Sequence, residues 1–239
     1  MGVVFDRFAA NKCCLCGSTE DLSGEHKIKA SLIRSHSRTK ELGFVNPTVP
    51  KPTIAQSAKS KAFHFKSKIC KQCNSERTQK ADRAFDAFHH EMLGKLQRRE
   101  KLWLYEQQEL VPAASPDEID RFRYFAKLLV LFLADVQGPR PKSIAAFAIA
   151  ANDQNPILLS VAEDELHKKL QEYDKELYNL SHGGLTLRFN RSLTRVLSME
   201  SSLSAGGLRY DFWINLKLIA NLELQIFWRD FLEKAKTKI

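Results

Sequence analysis

Ile69-Cys70-Lys71-Gln72-Cys73-Asn74-Ser75-Glu76-Arg77 holds two cysteines two residues apart, followed at once by an amide side chain and a charged run that reads as a helix start. Its counterpart lies far upstream, in Cys13-Cys14-Leu15-Cys16-Gly17. A two-residue spacer lets both sulfurs of a turn face one ion, and a glycine after the second cysteine relieves the tight bend. Two such knuckles supply the four sulfurs of a tetrahedral site, so Cys13, Cys16, Cys70 and Cys73 are the expected ligands of a structural Zn²⁺. Cys14 is the spare: either a small buried residue, or the ligand in place of Cys13. The cysteine count is 5, and an odd number confined to the first third of the chain argues against a disulfide framework. A redox role is weak, because neither pair lies in a βαβ pattern.

The long interval between the knuckles leaves room for a working insert. Just past the first knuckle stands Ser23-Gly24-Glu25-His26-Lys27-Ile28-Lys29. A shared metal would pin this segment beside Asn74, bringing Glu25, His26 and Asn74 together despite their distance in sequence. A carboxylate and an amide oxygen are hard ligands suited to Mg²⁺ or Mn²⁺. A histidine that is not a ligand can accept a water proton near neutral pH. That combination suits cleavage of a phosphodiester.

In these pieces, over roughly residues 10–90, the chain resembles the HNH (ββα-metal) endonucleases of the zinc-bound type. The matching pieces are the first C-x-x-C-Gly, Glu25-His26 with apolar Ile28, and Cys70-x-x-Cys73-Asn74. The resemblance implies a ββα core whose acidic residue, Glu25, binds the catalytic Mg²⁺ or Mn²⁺. It implies that His26 is the general base and that Asn74 is a second metal ligand at the start of the helix. It also implies DNA as substrate, 5′-phosphate and 3′-hydroxyl ends, and a place in phage (antiviral) defence or restriction, beside a regulatory protein partner. The last position is often His in the family, whereas here it is Asn74. The middle Asn of the family name has no match in Ala62-Phe63-His64-Phe65-Lys66-Ser67-Lys68. His64 either stands in for it or is an outward residue on a strand of alternating character.

Charge agrees with a nucleic-acid partner. Lys and Arg number 37 against 28 Asp and Glu, a net charge of +9. Residues 26–80 carry 13 basic side chains against Glu41 and Glu76, or +11. Such a block is a phosphate-backbone footprint or a solvated lysine-rich face. Lys27, Lys29, Arg77 and Lys80 are the candidate nucleic-acid contacts, with Arg77 read as a phosphate clamp or as part of a solvated helix face. No apolar run approaches the roughly 18 residues that span a bilayer. The N-terminal Met-Gly-Val-Val-Phe-Asp lacks a secretory pattern, so the expectation is a cytoplasmic protein.

The expected class is α+β: a ββα-metal core with structural zinc, then a mixed helix/strand domain. The expected boundaries are 1–112, with an inserted loop at 42–60 and a long helix from about Ser75 to Gln108, and 113–239. His89 and His90, on that helix, read as surface residues. Ser115-Pro116-Asp117-Glu118 is a helix start, and Gly138-Pro139 a stop. Helices follow at Ser143–Ala151 and Glu163–Leu177. Strands are expected at 185–189, 195–199 and 210–214, with turns at Gly183-Gly184 and Gly206-Gly207. Leu218 to Phe231 is a strand or a closing helix. The rival to the nuclease is a zinc-stabilised nucleic-acid-binding module without catalysis.

Overall fold

The computed structural model describes residues 4–36, 42–44, 53–55, 57, 59–102, 116–173 and 180–237. Strand β1 (Phe5–Arg7) precedes β2 (Leu22–His26), α1 (Ala30–His36), β3 (Leu42–Phe44), β4 (Thr53–Ala55) and β5 (His64–Cys70). A π-helical turn, Cys73–Arg77, leads into α2 (Gln79–Gln97). Then come α3 (Pro116–Asp135), β6 (Pro139–Pro141), α4 (Lys142–Ala148), β7 (Leu158–Glu163), α5 (Glu165–Tyr173) and β8 (Leu180–His182). The chain finishes with β9 (Thr186–Phe189), β10 (Val196–Ala205), β11 (Leu208–Asn215), α6 (Leu218–Phe227) and α7 (Arg229–Lys236). It is a mixed α/β protein.

Helix α3 is apolar nearly all round from Phe122 to Ala134, and such a helix must be covered on every side. Its Phe125 ring packs on Phe212 and Tyr210 of β11, at 5.1 and 5.8 Å between centroids. Its Tyr124 stacks on Phe85 of α2 at 4.0 Å, and its Phe132 meets Phe65 of β5 edge-on at 4.9 Å. The helix is thus held between the N-terminal hairpin and the C-terminal sheet. That sheet is antiparallel in the order β7-β11-β10-β8, with β9 also pairing along β10. Period-two alternation sends Tyr210, Phe212 and Ile214 inward and Arg209 and Asp211 outward.

Near the N-terminus, β2 and β5 form an antiparallel pair, with Leu22 opposite Cys70 and His26 opposite His64. The π-turn and α2 follow directly, so the local order is strand, strand, helix. Strand β1 pairs with β6, and Glu223 of α6 accepts hydrogen bonds from the Val4 and Phe5 amides at 2.8 Å each. One cluster of buried apolar side chains runs from Phe5 to Leu232. The boundary expected at 112/113 lies outside the described residues.

Several expectations are refined. The segment expected as a loop at 42–60 contains the paired strands β3 and β4, with Gly43 opposite Ile54. Helix α2 ends at Gln97, because Arg99 adopts φ 56° and Glu100 N bonds back to Lys95 O. His89 is no surface residue: it is 5% exposed, and its Nδ1 lies 2.7 Å from Tyr210 Oη. Glu163 ends strand β7, so α5 begins later, at Glu165. The ambiguous run from Leu218 is helical, and it leaves Leu218, Ile219, Leu222, Ile226 and Phe227 exposed. No described helix is long and apolar enough to cross a membrane.

His182 of β8 sits against Phe132 at 5.3 Å, and its buried Nδ1 has no hydrogen-bond partner among the described residues. Burial, reinforced by Lys27 and opposed by Asp135, lowers its pKa from 6.5 to about 4. Between those values the unfolded chain binds the proton that the folded chain refuses, so stability falls as pH falls through that window. The ceiling of this contribution is about 3 kcal/mol. Chemical denaturation of His182→Leu across pH 7 to 4 is expected to show a shallower acid loss than the parent chain.

Candidate metal centre and catalytic cluster

Knuckle geometry follows from local backbone bonding. The Cys16 amide lies 3.5 Å from Cys13 Sγ, and the Cys73 amide 3.4 Å from Cys70 Sγ, so both pairs make the same bond. Gly17 adopts φ 81° and donates its amide to Cys13 O at 2.8 Å, as a tight turn requires. The sulfurs of Cys13, Cys16, Cys70 and Cys73 all lie within 4.8 Å of one another, with Cys16 to Cys70 at 3.6 Å. Ligands about 2.3 Å from a tetrahedral zinc are about 3.8 Å apart, so the four thiols fit such an ion. Cys14 is buried outside this group, with its amide on Lys68 O at 3.0 Å, which identifies Cys13 as the member.

Four sulfurs this close cannot all ionise without a cation. A hydrogen bond from Cys73 holds the Cys13 thiol down at about 4 against the opposing effect of burial. The thiolate so formed, together with burial, pushes Cys73 up. A divalent ion would replace that sharing and deprotonate the set. Arg140 of β6 holds the first knuckle from outside. Its Nε donates to Cys14 O at 2.7 Å, and its Nη2 to Leu15 O.

Along β2, alternation turns Glu25 and Lys27 to one side and His26 to the other. On the inner side, Lys127 of α3 is only 1% exposed. Its Nζ lies 2.6 Å from Asp82 Oδ1 and 3.5 Å from Glu25 Oε1. Burial opposes its charge, but the two carboxylates outweigh burial and hold its pKa above the ordinary lysine value. Lys127 and Asp82 escaped sequence reading: Lys127 stands in an apolar helix, and nothing local marks its partners, Asp82 at 45 positions and Glu25 at 102.

On the outer side, the His26 and His64 rings lie 3.9 Å apart at 41°, as expected for opposed residues of an antiparallel pair. His64 Nδ1 is 3.0 Å from Ser60 O. A carbonyl can only accept, so that nitrogen carries the proton and Nε2 is the free acceptor when the ring is neutral. Asn74 Nδ2 donates to Ser23 Oγ at 3.3 Å, and no described donor reaches its Oδ1. Asn74 therefore lies beside the strand that carries Glu25 and His26, with an amide oxygen unspent.

The four candidate nucleic-acid contacts sort differently. Lys27 pairs with Asp135 at 3.7 Å, and Lys29 with Asp86 at 2.5 Å. Exposed Arg77 points its Nη1 toward Cys73 Sγ at 4.0 Å, and Lys80 is exposed. No family model, curated protein or solved structure matches the chain.

Two outcomes test this geometry. Metal analysis of the purified chain is expected to give one zinc per chain, with Cys73→Ser losing both the zinc and the N-terminal fold; a folded chain without metal would remove the site. Lys127→Met leaves Glu25 and Asp82 unpaired and is expected to cost about 3–5 kcal/mol in denaturant unfolding. Adding Glu25→Gln and Asp82→Asn should recover most of that loss.

Proposed function

We propose that the chain is a metal-dependent endonuclease that hydrolyses DNA phosphodiester bonds, with β2, β5 and the following helix as an HNH-type ββα unit. The observation that carries this reading is the contact of Asn74 with Ser23, 51 positions apart. It sets the residue after the second knuckle beside the strand of Glu25 and His26, as the motif order demands. Zinc at the four cysteines holds the two segments together and takes no part in the chemistry.

Glu25 and Asn74 are the residues that would hold the catalytic Mg²⁺ or Mn²⁺. Lys127 takes Glu25 Oε1, leaving the second carboxylate oxygen for a cation, and the unspent Asn74 Oδ1 is a second hard ligand. A cation there supplies positive charge for the phosphate oxygens and the leaving oxygen. His26 takes the proton of the attacking water. His64, fixed by Ser60 O, packs on the His26 ring and limits its orientation, the task of the missing middle Asn. Lys80 and Arg77, at the start of the helix, are proposed phosphate contacts, while Lys27 and Lys29 meet the strand only if they leave their carboxylates. A cytoplasmic defence or restriction role with a regulatory partner belongs to the same reading.

The rival, a zinc-stabilised binding module, draws on one observation: the Glu25 carboxylate already has an ammonium partner. Plasmid cleavage with added Mg²⁺ or Mn²⁺ separates the two. His26→Ala is expected to keep zinc, fold and DNA affinity while cleavage falls about 10²–10⁴-fold. Glu25→Gln and Asn74→Ala should be partly rescued by more divalent metal, and His26→Ala should not. Cleavage by His26→Ala at the parent rate would rule out the mechanism; no cleavage by the parent chain would leave the binding module.

A further inference from the structure

The lysines around the hairpin fall into two groups by what their ammonium groups meet. Lys27, Lys29 and Lys127 lie on the inner side, each within 3.7 Å of a carboxylate. Lys61, Lys66 and Lys68 are exposed, and no carboxylate among the described residues pairs with them. The cause is strand alternation. Phe65 and Ser67 of β5 turn toward α3, where Phe65 meets Phe132 and the Ser67 amide donates to Asp135 Oδ1 at 2.9 Å. His64, Lys66 and Lys68 therefore turn away from α3, on a stretch where the register with β2 shifts so that residues 65–67 oppose Glu25 alone.

This row runs past the candidate base. His64 lies 3.9 Å from His26, and Lys61 begins the short turn, Lys61–Phe63, that delivers the chain to His64. The histidine pair is thus bracketed by cations, Lys61 before it and Lys66 and Lys68 after it. Opposite Lys68 stands Gly24, so no β2 side chain rises beside it. Glu25, Asp82, Asp86 and Asp135 are engaged with inner lysines, so they do not neutralise the outer face.

We infer that this outer face, Lys61, Lys66 and Lys68 around the His26–His64 pair, is the surface on which the phosphate backbone of duplex DNA lies. The inference rests on the reading of DNA as substrate and deepens it: the row would carry the backbone past the histidines, while Lys27 and Lys29 serve the fold. Charge complementarity selects a polyanion, and three unpaired lysines that follow one another along the chain select a backbone over a single anion.

The test is affinity for a short duplex DNA by fluorescence anisotropy, across a salt series and without added divalent metal. It compares the full chain with Lys61→Gln/Lys66→Gln/Lys68→Gln. Each lost phosphate contact removes about 0.9 from the slope of log affinity against log salt, so the triple variant should lose about 2.7. From about 50 to about 200 mM salt, its affinity should then fall about 40-fold less than that of the parent. An unchanged slope would overturn the inference and leave these lysines as solvated cover for a two-stranded sheet. An equal slope loss from the distant set Lys169→Gln/Lys217→Gln/Lys234→Gln would overturn it too, as an effect of net charge alone. A loss seen on single-stranded RNA but not on the duplex would also overturn it. Plasmid cleavage by the parent chain is scored separately. Binding through the row without cleavage upholds this face and removes the nuclease; cleavage with an unchanged slope does the reverse.

Discussion

A single buried ammonium organises the molecule. Helix α3 crosses the centre, and Lys127 is its one buried ammonium, at 1% exposed, where neighbouring side chains pack against hairpin, sheet and α2. An ion taken out of water costs several kcal/mol unless partners compensate. Here the partners come from the other half of the chain: Asp82 on α2 and Glu25 on β2. The same contact therefore fixes how α3 meets the hairpin and where the Glu25 carboxylate points. A loss of packing between the halves would strand the lysine, and a loss of the lysine would strand two acids.

The four-cysteine cluster acts on a shorter scale. It closes the interval between the two knuckles and brings β5 and the start of the helix onto β2. Within each knuckle, backbone amides aim the sulfurs, and Arg140 ties the first knuckle to β6 from outside. Arg140 thus holds through its carbonyls the loop that a metal at the cluster would hold through its side chains. The hairpin is short, and an isolated two-stranded pair is marginal in water; the cluster and α3 give it the support it lacks.

Alternation along these strands divides the hairpin by chemistry. The inner face carries Glu25 and meets Asp82 and Asp86 of α2 and Asp135 of α3, each matched with a lysine. The outer face carries the His26 and His64 rings in tilted contact, and the unmatched lysines. Glu25 and His26 are neighbours in sequence yet stand on opposite sides of the strand, one on Lys127 and the other on His64. The π-turn at Cys73–Arg77 completes the arrangement by laying Asn74 against Ser23.

Sequence by itself determined what depends on spacing within a turn: the two knuckles, the glycine bend, the helix start at Pro116 and its stop before Gly138-Pro139. It also foresaw that the segment after the second knuckle lies against β2, where Asn74 meets Ser23, because the cysteine pairs announce their own closure. It left Cys13 and Cys14 unresolved, since two adjacent thiols stand at the start of the first turn, and burial of Cys14 away from the cluster settled the choice. The run from Leu218 was unreadable because it is apolar on exposed as well as buried faces. Only tertiary structure decided that Lys127 meets Glu25, that His64 lies on His26, that His89 is buried on Tyr210, and which lysines are matched. These are contacts between elements whose local patterns carry no mark of their partners, so they exist only once the packing of α3 sets the distances.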